Sequence, residues 1–272
     1  MGKVVLITGA SSGIGKEAAL YFAARGWDVA ATMRNPEKRK TGLENIEGIE
    51  ITHLDVTDHE SVKKSVASAA AKYGKIDAVV NNAGYAVNGP FEASSREDAK
   101  KQFDTNVTGL MDVCREVIPV FRKQKEGVII NISSMAGKVG FPLYSLYNST
   151  KFAVEGFSEV LHHELKPFDI KVRLIEPGII HTDFYGRSMS KVSKPGIDVY
   201  DEATGRIEKA MQSIMKMGSK PETVAKVIYK AAVSKGNRLR YTAGIDAAAV
   251  TALRALLPDS LLLPFVRKIN GL

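Results

Sequence analysis

Tyr147 and Lys151 stand four residues apart in a stretch of helical period, so one helix face presents both side chains. A free phenol has a pKa of about 10, too high for acid–base work near neutrality. A neighbouring ammonium stabilises the phenolate and is expected to lower that value, which would let the pair pass a proton to or from an oxygen. Tyr144 is a rival acid, but the residue four positions on is Asn148, so it lacks the ammonium. Taken alone, a Tyr/Lys pair at this spacing is usually a surface coincidence. Its weight comes from the rest of the chain.

The second constellation lies near the start. Thr8-Gly9-Ala10-Ser11-Ser12-Gly13-Ile14-Gly15 follows the apolar run Val4–Ile7 and opens a helical stretch. Glycines at 9, 13 and 15 allow a tight turn and close approach of the backbone, and the helix N-terminus offers N–H groups and a favourable dipole to a pyrophosphate. This strand–turn–helix context makes the loop, through Gly9, Ser11, Ser12, Gly13, Ile14 and Gly15, a dinucleotide cradle. The end of the next apolar run should decide the 2′ position of the cofactor. A fold that prefers NAD places an acid there, whereas here Thr32 or Met33 is followed by Arg34. An arginine takes a phosphate bidentately. The expected cofactor is therefore NADP(H) rather than NAD(H), with Lys16 and Lys38 adding to the positive field.

These residues need a scaffold. Apolar, β-rich runs at Val4–Thr8, Asp28–Met33, Glu50–Leu54, Ala78–Asn81, Gly127–Ile132, Lys171–Glu176 and Arg238–Thr242 alternate with helical stretches. The helices are expected at Gly15–Arg25, Ser61–Tyr73, Arg96–Phe121, Tyr144–Lys166 and Glu222–Ser234. Strands apolar at successive positions are buried on both faces. The alternation therefore predicts an α/β fold, a doubly wound parallel sheet of Rossmann type with helices on both faces. One domain over residues 1–272 is expected. Residues 179–205 break the alternation and read as a substrate lid, and 246–272 as a hydrophobic C-terminal extension.

The motifs together resemble the short-chain dehydrogenase/reductases, in the group opening with Thr-Gly-x-x-x-Gly-x-Gly. From Val4 to Thr182 the family's order recurs: the glycine loop, Asp55-Val56, Asn81-Asn82-Ala83-Gly84, Asn106, Ser134, Tyr147-x-x-x-Lys151, and Pro177-Gly178 leading to Thr182. The resemblance implies a catalytic set of Asn106, Ser134, Tyr147 and Lys151. Tyr147 would exchange the proton, Ser134 (rather than Ser133, by spacing) would orient the carbonyl, and Lys151 would also hold the nicotinamide ribose. Asn106 would seat a water relaying protons to Lys151; Asn and Gly109 within a helical stretch independently suggest a kink. Asp55 and Val56 would meet the adenine, and Asn82, Ala83 and Gly84 its ribose. Pro177, Gly178, Ile180 and Thr182 would clasp the carboxamide. Dimers or tetramers are frequent in the family, so a homo-oligomer is expected.

Positions that the resemblance places around a substrate are Tyr85, Val87, Val139, Phe141, Leu143, Leu146, Phe184, Tyr185 and Met189. They are apolar or aromatic, which suggests a hydrophobic ketone or aldehyde and its alcohol. The segment Ala31–Asn35 and the leucine-rich tail look like the hydroxysteroid and retinol dehydrogenase branch. Two alternatives stand beside this reading: a 3-oxoacyl-carrier-protein reductase and a non-catalytic NADP(H) sensor. The second would not need Asn106, Ser134, Tyr147 and Lys151 together.

Composition narrows the field further. The chain is 44% hydrophobic and 25% charged with a net charge of +8, but it shows no basic recognition helix, so no nucleic-acid partner is expected. The lone Cys114 and scattered histidines argue against a metal site. No run reaches the length of a membrane span and no signal peptide is evident, so a cytoplasmic location is expected. The tail from Leu253 to Leu272 is amphipathic and could cover the pocket, meet a subunit or lie on a membrane.

Overall fold

The structure is a computed structural model that describes residues 2–182 and 184–272. Seven strands form one wholly parallel sheet: β1 (Lys3–Ile7), β2 (Trp27–Met33), β3 (Ile49–His53), β4 (Ala78–Asn81), β6 (Gly127–Ile132), β7 (Ile170–Pro177) and β9 (Arg240–Ala243). Their order is β3-β2-β1-β4-β6-β7-β9. The chain winds outward one way from β1 and then the other way from β4. The carboxyl ends of β1 and β4 thus frame a topological switch point, where ligands of such sheets bind.

The expected double winding is what forms, because the strand residues are apolar on both faces. Val5, Ile7, Val29, Ile130 and Ile175 point into one layer, and Leu6, Ala30, Val79, Ile129 and Leu174 into the other. On the first face lie α1 (Gly13–Ala23) and α8 (Pro221–Val233), where Phe22, Trp27 and Tyr229 meet edge to face. On the second lie α2 (His59–Tyr73), α4 (Gly109–Gln124) and α5 (Ser145–Glu164). The seven predicted strands form with ends shifted by a residue or so.

Three departures concern the site. The helix expected over Arg96–Phe121 is interrupted: α3 (Arg96–Phe103) runs into a π turn at Asp104–Thr108 before α4 begins. The kink suspected at Asn106 is this turn. Second, two strands of three residues were not foreseen, β5 (Ala86–Asn88) and β8 (Met189–Lys191). They pair in parallel, Ala86 opposite Met189 and Asn88 opposite Lys191. Third, the segment expected to be an irregular lid is partly ordered. It holds α6 (Phe184–Arg187), β8 and the start of α7 (Asp201–Met215). The tail is helical: α9 (Ile245–Leu256) is followed by α10 (Asp259–Ile269). No described helix is long and apolar enough to cross a membrane.

Candidate active site

A cavity of about 970 Å³ opens over the carboxyl ends of β1 and β4. Its floor at one end is the glycine loop. Gly9 and Gly13 have positive φ (+68° and +54°). A Cβ on Gly9 would lie 2.9 Å from the Ala83 Cα, and one on Gly15 would lie 2.4 Å from the Asn82 amide nitrogen. These positions admit only glycine, and they leave the N-terminus of α1 bare: no side chain caps it and its first turn carries no acid. A loop so cleared presents backbone N–H groups to a diphosphate. Ser11, Ser12 and Ile14 join Gly9 and Gly13 on the wall, while Gly15 is packed beneath the loop and takes no part in the lining.

Asn82 is a brace. Its amide donates to the carbonyls of Thr8 (2.9 Å) and Gly9 (3.1 Å), and the Thr8 hydroxyl accepts from the backbone of Asn82 and Ala83, each at 3.0 Å. The loop and the end of β4 are thereby fastened together. Asn82, Ala83 and Gly84 all border the cavity, as do Asp55 and Val56. The Asp55 carboxylate is held in place by the N–H and hydroxyl of Thr57.

At the end of β2, Thr32 is fully buried and its hydroxyl donates to the Ile7 carbonyl, so it cannot be the residue that meets a ligand. Met33 and Arg34 line the cavity instead, with Asn35. Of the basic residues after Arg34, Arg39 rather than Lys38 reaches the cavity, its guanidinium donating to the Ser11 hydroxyl at 3.3 Å. Lys16 also turns elsewhere, toward Gly42. The reassignment from Lys38 to Arg39 reflects an exposed loop whose conformation no periodicity dictates.

The Tyr147 and Lys151 side chains share a face of α5, with the Lys151 Nζ 5.5 Å from the centre of the Tyr147 ring. Tyr147 borders the cavity beside Ser134, whose hydroxyl accepts the Ala136 N–H at 3.1 Å. Ser133 is the wrong serine for this role: its buried hydroxyl is directed toward Gly137 and Glu155. Tyr144 donates to the Met189 sulfur at 3.6 Å and has no ammonium beside it.

The expected lowering of the Tyr147 phenol is not found among the chain's own groups. Burial pushes it up to about 12, against which Ser134 pulls down, with Tyr144 adding to the rise. No pull from Lys151 offsets that burial, and Lys151 is itself buried. Its Nζ donates to the Ile132 carbonyl at 2.9 Å, and burial lowers its pKa to about 8, with Glu155 opposing the fall.

Asn106 sits in the π turn, 2% exposed. Its amide donates to the Tyr85 carbonyl (2.9 Å) and the Thr150 hydroxyl (3.1 Å), and its oxygen accepts the Tyr85 N–H (3.0 Å). The side chain thus ties the end of β4 to α5, and it makes no direct bond to Lys151. Gln102, which sequence reasoning passed over, completes the clamp: its oxygen accepts the Val87 N–H at 2.7 Å and its amide donates to the Tyr85 carbonyl. The π turn is what brings both side chains to one strand.

Pro177, which ends β7, and Gly178, Ile180 and Thr182 after it lie along the cavity, with Thr182 packed against Gly13. Asp246, also unforeseen, lies at the start of α9 and accepts the Ile179 N–H. Beyond Tyr147 the wall turns apolar. Tyr85, Phe141, Phe184 and Met189 line it as expected, joined by Met135, Tyr144, Met211, Ile214, Val250 and Ile269. Val87, Val139, Leu143 and Leu146 do not line it; Val139 instead packs under Leu262 and Val266. The Tyr185 side chain lies outside the described residues. No group of three or more potential metal ligands occurs among the described residues.

The family model described as short chain dehydrogenase matches residues 3–193. The chain is 36% identical to a 3-ketodihydrosphingosine reductase of Bacteroides thetaiotaomicron, covering 89% of this chain and 88% of the relative. It is 34% identical to bovine retinol dehydrogenase 8, covering 94% and 86%. Among solved structures, ElxO with NADP bound superposes with a TM-score of 0.76 at 32% identity, covering 92% of this chain and all of the other.

Proposed function

The chain belongs to the short-chain dehydrogenase family of oxidoreductases, and from that premise we propose that it uses NADP(H) to interconvert a hydrophobic ketone or aldehyde with its alcohol. The observation that carries the reading is the placing of Ser134, Tyr147 and Lys151 together on the wall where the glycine-loop cavity meets the apolar chamber, with Lys151 one helical turn beyond Tyr147. The residues fit a dinucleotide. The cleared loop at Gly9 and Gly13 would hold its diphosphate, Asp55 and Val56 its adenine, Arg34 and Arg39 a 2′-phosphate, and the segment from Pro177 to Thr182 its nicotinamide end. ElxO, with NADP bound in its structure, supports the choice of phosphate.

The bound cofactor supplies the hydride donor or acceptor. Everything else falls to the chain. Ser134 and Tyr147 together bind the substrate oxygen, fixing the carbonyl carbon on the cofactor side. Tyr147 releases its proton to that oxygen as negative charge develops on it, or takes it back from the alcohol in the reverse direction. Ser134 donates to the developing oxyanion and steadies the phenolate. The Lys151 ammonium, held from behind by the Ile132 carbonyl, stabilises the phenolate electrostatically. The apolar wall from Phe141 to Met189 excludes water and selects a substrate with little charge. Relatives named for 3-ketodihydrosphingosine and for retinol, a ketone and an alcohol, support this substrate type.

The test is a panel of hydrophobic ketones and alcohols offered with NADPH or NADP⁺, and with the NAD(H) pair, to the parent and to Tyr147→Phe. Turnover in the parent with NADPH preferred, and none in the variant, is expected. Equal turnover in both would sink the assignment of Tyr147.

A further inference from the structure

The helices α9 and α10 have two faces of different character. Their inner face closes the cavity: Val250 and Ile269 stand in its wall, and Leu262 and Val266 pack on Val139 beside Phe141. On their outward side, large apolar side chains stand exposed along the flanks of a cationic centre. Leu256 is 79% exposed and Leu261 59%, and Leu263, Phe265 and Leu272 are exposed with them. Leu261, Phe265 and Lys268 share one flank of α10 and Leu263 and Arg267 the other, on either side of the buried Leu262 and Val266, and exposed apolar side chains of this size mark an interaction surface. The same stretch carries Arg254, Arg267 and Lys268. Arg254 is paired with Asp259, whereas Arg267 and Lys268 have no ion pair among the described residues. Asp259, already engaged, is the sole acid of α10.

Apolar anchors interleaved with unpaired cations on a helix lying flat against its protein match the acyl boundary and headgroups of an anionic bilayer. A second copy of this chain matches less well. A twofold contact through α10 would set Arg267 and Lys268 of each copy against a helix whose one side-chain carboxylate, Asp259, is already paired. The net charge of +8 favours the same choice.

We propose that the outer face of α9 and α10 docks on an anionic lipid bilayer, so that a substrate dissolved in the membrane enters the cavity past the helices that form its wall. Docking stands on the exposed face alone; the entry route rests on the hydrophobic-substrate reading above. The tail then serves two purposes at once, as wall on one side and as anchor on the other, without spanning the membrane.

The experiment sediments the full-length chain with vesicles of phosphatidylcholine, alone or mixed with phosphatidylglycerol. Binding to the mixed vesicles is expected, weakened by salt and by omission of the anionic lipid. Leu261→Ser/Phe265→Ser and Arg267→Glu/Lys268→Glu should each weaken it by about tenfold or more. Both variants should keep NADPH binding and the reduction of a water-dispersed ketone, since none of the four residues lines the cavity. That retained function shows that the variants fold. A parent that stays in the supernatant with mixed vesicles, or variants that bind as well as the parent, would overturn the proposal. So would a dimer in sedimentation velocity that the Leu261/Phe265 variant converts to monomer while no vesicle binding is seen, which would give the face to a second copy. Vesicle binding without turnover of any ketone would refute the catalytic reading and leave docking standing. Turnover without vesicle binding would do the reverse.

Discussion

The Asp246 carboxylate accepts the backbone N–H of Ile179 at 2.6 Å, fastening the first turn of α9 to the segment after β7. A Cβ on Gly178 would come within 2.1 Å of the same carboxylate, so the two segments meet with no room to spare. Asp246→Ala should loosen the segment from Pro177 to Thr182 and raise the KM for NADPH several-fold with a smaller effect on kcat. Gly178→Ala should do at least as much by collision. Steady-state kinetics with saturating ketone checks both; unchanged KM values would detach Asp246 from cofactor binding.

Tyr147→Phe keeps the ring and its packing on Phe184 but removes the proton. A fall in kcat of about 10²–10⁴-fold is expected for loss of a general acid, with NADPH binding retained by fluorescence titration. Ser134→Ala should give a smaller loss in kcat.

The direction of the reaction should respond to pH in opposite ways. With the phenol pushed up to about 12, Tyr147 stays protonated through neutrality, as ketone reduction requires. Reduction should therefore be flat from pH 6 to about 8. Alcohol oxidation needs the phenolate and should accelerate with rising pH over the same range. Parallel rate–pH profiles for the two directions, measured at saturating cofactor, would contradict this.

Two buried charges should weaken the fold in separate pH windows. Lys151 falls from 10.5 to about 8 on folding, so its charge costs stability fully below pH 8, and the cost fades as pH rises toward 10.5. At about 1.4 kcal/mol per unit, Lys151→Met should gain up to about 3 kcal/mol at pH 7 while losing activity. Glu176 is the mirror case. Burial, with Glu155 nearby, raises it from 4.5 to about 7, so its penalty is absent below pH 4.5 and complete above 7. Glu176→Gln should therefore stabilise the chain at pH 8 and leave it little changed at pH 4.5. Urea unfolding at the two pH values separates the effects.

Arg34 and Arg39, in the loop that follows β2, line the cavity. Replacing both with alanine should raise the KM for NADPH by about 10- to 100-fold, the worth of charge-assisted hydrogen bonds to a phosphate, and leave NADH almost unaffected. An equal loss for both cofactors would place the arginines elsewhere in function.

The sheet was legible in the sequence because its five inner strands are apolar on both faces, and each strand run ended in a turn signal. The cradle and the Tyr147–Lys151 pair were legible because their spacing is local. What escaped was set by distance or brevity. The strands β5 and β8 are three residues each, too short to show a period. The charges along α7 hid a helix with one buried side chain, Ile207. The clamp of Gln102 and Asn106 on Tyr85 depends on a π turn that no hydrophobic pattern announces. The sign of the Tyr147 shift was missed because burial of the phenol and of its lysine together is a tertiary fact.

That π turn has a bearing on the gene as well as on the protein. Losing a single codon between Asp104 and Thr108 would let α3 and α4 wind into one ordinary helix, with every backbone bond made. The fold would tolerate the deletion, since five residues of a π turn sweep about the same angle as four in an α-helix, but the bulge that carries Asn106 toward Tyr85 would be gone. Gln102 and Asn106 could then no longer grip the same carbonyl, and the substrate chamber would lose a wall while the helix kept its own. A reading frame scanned for indels should treat these five residues as intolerant, a constraint that the sequence signals only through Asn106 and the adjoining Gly109.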